Sequence, residues 1–161
     1  MSLLSRLDLI AETWPRWEKA AQERYWDGLE LATGYENHQL GALYLLGYAA
    51  EIVLKIAFFR VCNWPDSQTV DFRQAIRHAQ WKGYNLHDID AWANLLVTER
   101  IIRESPLDPV IVGQLRAHVS ALAANWRESL RYHHDSVKDD ELETVHQSAS
   151  WLLAHRDLLW R

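Results

Sequence analysis

The stretch Leu40–Val61, LGALYLLGYAAEIVLKIAFFRV, decides how this chain is read. It is apolar almost all the way round a helical wheel, so a helix built from it needs neighbours on most sides. It is nearly long enough to cross a bilayer, but Glu51 and Lys55 fall in its middle, where charge is costly in lipid. The expectation is a buried helix of a soluble bundle, running from Asn37 to about Cys62. Gly41 and Gly47 each cost about 1 kcal/mol of helix propensity, which suggests a packing reason: they let another backbone come close. Glu51 and Lys55 lie one turn apart on the face that also carries Tyr44, Gly47 and Tyr48. A glutamate in such surroundings needs a partner. We expect Arg131 to supply it and so fix the bend before the last helix; the alternative is Lys55 within the helix itself.

Outward from this rod, almost every segment repeats with helical period, and only four prolines and six glycines punctuate the chain. A first helix starts near Leu3, and Pro15 interrupts it. A second begins there, because proline is tolerated in a first turn, and runs to about Thr33 with Trp17, Ala21, Tyr25 and Leu29 at i+4 steps. After NWPD, a shorter helix is expected over Ser67–Gln80. The next spans Asp88 to about Glu104, with Ile89, Trp92, Leu95, Leu96 and Ile102 inward. SPLDP stops it. Asp108 then caps a helix with Pro109 in its first turn and Val112, Leu115, Val119, Leu122 and Trp126 on one stripe. The final helix starts near Ser136, with Asp139, Asp140 and Glu141 at the positive end of its dipole. Its buried stripe is Leu142, Val145, Ala149, Leu152 and Leu153. The fold class is therefore all-α: an antiparallel bundle of five to seven helices in a single domain over 1–161, with amino-terminal helices in 1–34 and a core bundle in 37–160.

The totals agree. The chain has 161 residues, 48% apolar and 24% charged, enough for one self-sufficient core. Net charge is −5, which disfavours general nucleic-acid binding, so any RNA contact needs a local basic patch. Cys62 is the one cysteine and cannot form an internal disulfide. We read it as a small buried residue at a helix end. Arg6, Asp8 and Glu12 break the first apolar run, so no secretory signal is expected; with the lone cysteine pointing to a reducing compartment and Glu51 and Lys55 arguing against a membrane span, a cytoplasmic location is expected. Nine tryptophans are many. Trp92, Trp126 and Trp151 fall on buried stripes, whereas Trp14, Trp17 and Trp26 are better placed to meet a partner.

Three segments carry a family resemblance. GALYLLGYAAEIVLKIAFF resembles the second core helix of HEPN domains (higher eukaryote and prokaryote nucleotide-binding). NLHDIDAWANLL, Asn85–Leu96, resembles the family's HDLxxLL element, and WRESLRYHHDS, Trp126–Ser136, resembles its W-x-x-x-LRY element before the last helix. The likeness covers about Gln39–Leu153. It implies a helical bundle that often forms a homodimer, pairing in many members with a nucleotidyltransferase-like antitoxin. Active ribonuclease members carry an arginine, four to six intervening residues, then a histidine; Arg127 with His133 or His134 matches. Glu128 departs from the usual active pattern, and Arg131-Tyr132 matches the branch for which nuclease activity is not implied.

The site candidates follow. Metal-independent RNA cleavage needs a base for the 2′-hydroxyl and a cation for the phosphorane, chemistry that His133, His134 and Arg127 contain. The plainer reading has these residues capping helix ends and pairing with Asp135, Asp139 and Asp140. Glu51, Lys55, Arg131, Tyr132, His87 and Asp88 are read as structural or as lining a polar cleft, with Asp88 a helix cap. His78, His118, His146 and His155 are read as isolated. No metal site and no cofactor are expected, since no zinc cluster, Gly-rich phosphate loop or nucleophile elbow occurs. The leading expectation is a protein-interaction component of a prokaryotic toxin–antitoxin or defence system. The alternatives are a metal-independent endoribonuclease acting on RNA and a small nucleotide-binding module.

Overall fold

The computed structural model describes residues 13–34, 38–70, 77, 85–132 and 136–160. They form α1 (Trp14–Thr33), α2 (Gln39–Val61), α3 (Ile89–Ile102), α4 (Pro109–Asn125), a 3-10 segment (Glu128–Tyr132), α5 (Asp139–Ala154) and a short α6 (Arg156–Trp160). The protein is an all-α bundle. Among the described residues the extended pairing is an isolated antiparallel bridge, Thr13 to Thr69. The helix expected from Leu3 lies outside the described residues, as does most of the one expected over Ser67–Gln80.

Local chemistry explains where the helices start. Asp88 accepts from the Ala91 amide at 2.9 Å and Asp108 from the Val110 amide at 2.7 Å, each satisfying an orphan donor. The last long helix begins at Asp139, three residues later than expected. Glu141 reaches back to the Lys138 amide at 2.9 Å and sets that boundary. It ends at Ala154: the His155 ring nitrogen Nδ1 bonds the Trp151 carbonyl at 2.9 Å, and the chain turns there into α6.

α2 is the axis. α1 packs along it most extensively, and α3, α5, α6 and the 3-10 segment also rest on it, while α4 bridges α3 and α5. α1 runs antiparallel to α2: Trp14 Nε1 donates to the Trp64 carbonyl at 3.1 Å, just past the end of α2, and Trp64 Nε1 donates to Thr69 O at 3.3 Å. α5 runs with α2, since Gln39 bonds Asp139 at 2.7 Å at their starts and Arg60, in the last turn of α2, lies 4.5 Å from the ring of Trp160, which follows α5. Leu46, Leu54, Ile56, Phe58 and Phe59 of α2 are fully buried against Trp92, Leu96, Leu115, Leu122, Leu152 and Leu159. Each such side chain contributes about 1.5–3 kcal/mol of burial free energy. α2 is long and apolar enough to cross a membrane by length and composition, and 83% of that window is buried within the fold.

Several packing expectations change. A Cβ on Gly47 would stand 2.1 Å from Trp126 Cδ1, so this glycine receives an indole rather than a backbone. The close backbone approach is made by Gly28 of α1, whose added Cβ would meet Ala42 O at 3.2 Å; at Gly41 it would meet only a Leu31 methyl, at 3.3 Å. Ile102, expected inward, is 67% exposed because α3 ends there and the chain reverses at Glu104, φ 57°. Trp92 and Trp126 are buried as expected, Trp151 only half-buried. Trp14 and Trp17 pack against the core, which leaves Trp26 as the exposed member of the amino-terminal set.

Candidate functional site

Glu51 is the centre of the polar interior. It is completely buried, and Lys55, one turn on, is nearly so. The Lys55 ammonium donates to Glu51 Oε1 and lies 5.7 Å from the centre of the Trp92 ring. The second partner comes from outside the helix. His87 Nδ1 lies 3.1 and 3.0 Å from the two Glu51 oxygens, so its N–H donates into the carboxylate. Arg131 is not the partner. Its guanidinium is exposed, 4.7 Å from the Tyr132 ring and close to Tyr44. The reason is geometric: the loop before α3 brings an imidazole directly over Glu51, and the 3-10 segment turns Arg131 outward.

That loop is built to hold His87. Asn85 Oδ1 accepts from the His87 amide at 2.9 Å, Trp92 Nε1 donates to the Leu86 carbonyl at 2.9 Å, and Asp88 caps α3 as expected. The opposite wall is held by Trp126, whose ring sits on Gly47 and whose Nε1 donates to the Tyr44 carbonyl at 3.0 Å. Trp126 is the C-cap of α4 with extended backbone, and this places Arg127 and Glu128 beside His87. Glu128 Oε2 lies 2.8 Å from His87 Nε2 as an ion-pair contact. The alignment falls short of a hydrogen bond, and this oxygen is buried with no hydrogen-bond partner.

The result is a cleft of about 370 Å³ lined by Asn85, His87, Asp88, Asp90, Arg127 and Glu128 among others. Burial, and then the charge of Asp88, raise the Asp90 carboxyl above the ordinary range. Both ring nitrogens of His87 therefore face carboxylates, and three acidic side chains against one arginine form the lips. Chemically this is an imidazole backed by a buried carboxylate, opening onto an acidic concavity.

Of the candidates from sequence, Arg127, His87, Asp88 and, beneath them, Glu51 and Lys55 converge on this cleft. Arg131 and Tyr132 do not: both are exposed, Tyr132 by 72%, and neither lines the cleft. His133, His134 and Asp135 lie outside the described residues, so the Arg127–histidine pairing is not seen; His78 lies outside as well. The role of His87 as the bridge, and of Glu128 and Asp90 as its surroundings, was missed. The available signal was the demand of Glu51 for a partner.

The remaining titratable groups are less isolated than expected. His146 Nε2 lies 3.3 Å from the Tyr25 hydroxyl. His118 and His155 both stack on Trp151, with centroids 4.8 and 4.3 Å away. Burial, and then His155, hold the His118 imidazole below the usual histidine range. Cys62 lies at a helix end as expected but is half-buried rather than buried; burial, and then Glu99, push its thiol up to about 12, so the nucleophilic thiolate is scarce at neutral pH. Among the described residues no three His, Cys, Asp or Glu side chains converge as a metal ion would need. No family model matches this chain, and neither a curated protein nor a solved structure is detectably similar to it.

Proposed function

We propose that the protein is a HEPN-like helical module that works by protein interaction, as a cytoplasmic component of a prokaryotic toxin–antitoxin or defence system. The observation that carries this reading is the acidic lining of the His87 cleft. Asp88, Asp90 and Glu128 outnumber Arg127 there, and RNA phosphates entering it would meet like charge, whereas a lysine or arginine of a protein partner meets its complement. A nucleotidyltransferase-like antitoxin is the partner the resemblance favours, and self-association as a homodimer accompanies it. The test is co-expression with the product of the neighbouring gene. A stable complex is expected, and Asp88→Asn with Asp90→Lys should weaken it while leaving the cap of α3 in place, since asparagine also caps. A complex indifferent to that charge change would overturn the role of the cleft.

A second reading has one observation in its favour: Arg127 and His87 share the cleft, and Glu51 orients the imidazole from behind, as a carboxylate does for a general base. In a metal-independent endoribonuclease Arg127 would hold phosphate and His87, His133 or His134 would take the 2′-hydroxyl proton. Glu128 would then act as a brake on Nε2. Purified protein incubated with total RNA decides it: cleavage that Arg127→Ala abolishes and Glu128→Gln increases would establish the enzyme, and intact RNA in both would dismiss it.

A further inference from the structure

A second concavity, of about 350 Å³, shares no residue with the His87 cleft. It opens between α1 and α5 and is lined by Tyr25, Trp26, Ser150, Leu153, Ala154 and Arg156 among others. Three of its features are unusual together. First, Trp26 is 62% exposed at its rim, set edge-on to Tyr25 with centroids 5.6 Å apart. A large indole left bare beside a groove is a stacking face with nothing on it. Second, the floor is an ordered hydroxyl chain: Tyr25 Oη lies 2.9 Å from Ser150 Oγ and 3.3 Å from His146 Nε2. A phenol has one proton to give. When it goes to His146, Ser150 donates to Tyr25 and keeps its lone pairs as acceptors. Third, Arg156 brings a fixed positive charge with donors to spare. Its Nη1 donates to Leu153 O at 3.1 Å, and its buried Nε makes no hydrogen bond but is ion-paired with the Glu18 carboxylate at 3.8 Å, too long to use up the donors of the guanidinium.

We propose that this groove binds a small aromatic monocarboxylate, its ring on Trp26 against the Leu153 and Ala154 wall and its carboxylate on the Arg156 guanidinium. The volume sits at the small end of the roughly 300–1,000 Å³ typical of ligand pockets, which suits a single ring. Arg156 is the one formal charge among the lining residues, and a ligand carboxylate would compete with the long Glu18 contact for its guanidinium. The site is independent of the His87 cleft, and its ligand does not depend on whether the chain is an interaction module or an enzyme.

The probe is benzoate, titrated into the intact protein while the Trp26 indole N–H is followed by NMR, with benzamide as the uncharged isostere. Benzoate should shift that resonance saturably at millimolar concentration or below. Benzamide, Arg156→Gln and Trp26→Ala (the last read by calorimetry) should each weaken binding about tenfold or more, the scale of losing one charge-assisted or stacking contact. Trp26 is exposed, so its removal leaves the core alone. No saturable response up to about 10 mM, above the ~1 mM expected for so small a ligand, would overturn the proposal. Equal affinity for benzamide, or for either variant, would overturn it too.

Discussion

Two polar regions of this molecule contain the same kinds of residue and behave oppositely. Glu51, Lys55 and His87 form a cluster whose centre is 0% exposed. Arg127–Tyr132, far denser in charge along the sequence, is a surface stretch that forms a 3-10 segment from Glu128 on, with its last residue 72% exposed. Density of polar residues in a sequence therefore says little about a site. A lone charge in an apolar run says much more, because it forces some other element to come and satisfy it. Here that element is the loop carrying His87, and the cleft is the consequence.

The comparison is broken most directly at Glu51. Glu51→Ala strands Lys55 in the interior, and leaving one partner of a buried pair costs about 3–5 kcal/mol. Urea unfolding should show this loss, and the double change Glu51→Gln with Lys55→Met should recover much of it. A Glu51→Ala protein as stable as the parent would mean that the two regions do not differ as described. Next in size is Gly47→Ala, which drives a methyl into the Trp126 ring and costs about 2–3 kcal/mol. Because Trp126 joins the buried cluster to the surface segment, limited proteolysis after Trp126 should speed up as well. A smaller effect belongs to His118. Its pKa is lowered in the folded state from 6.5, first by burial and then by His155. The unfolded chain binds that proton more readily, so the contribution is complete above pH 6.5 and is lost as pH falls through the folded value. His118→Gln should flatten this part of a midpoint-against-pH curve. Smallest of all is Arg131→Ala, which should leave the thermal midpoint unchanged; a marked drop would restore Arg131 as a partner of Glu51.

Much of the architecture was legible in the sequence, for reasons that belong to single residues. Asp88 and Asp108–Pro109 are strong start signals, and the apolar belt of Leu40–Val61 admits one placement, the centre. Of the partners of Glu51, Lys55 was foreseen as the alternative to Arg131 and is present, whereas His87 was not legible. Helical period reveals which face is buried but not what meets it, and His87 is distant in sequence. The sequence reading also gave no sign that Glu99 and Arg100 would be buried, Glu99 held by Arg103 at 2.6 Å and Arg100 reaching Ser105 at 3.2 Å. The split of the last helix at His155 was hidden because a ring nitrogen competing for a carbonyl leaves no periodic trace. Of the candidate site, the polar membership of His87, Asp88 and Glu51 was foreseen and their mutual arrangement was not.

The clasp of Trp14 on Trp64, with the Thr13–Thr69 bridge beside it, closes the open end of the α1–α2 pair. A helical hairpin fastened at both ends brings its partners together across short chain separations, so little loop entropy is lost in forming it. Such a unit is the natural first platform on which α3, α5 and α6 condense. In hydrogen exchange, the amides of α2 should be the last to open and those of α4, which bridges from outside, among the first.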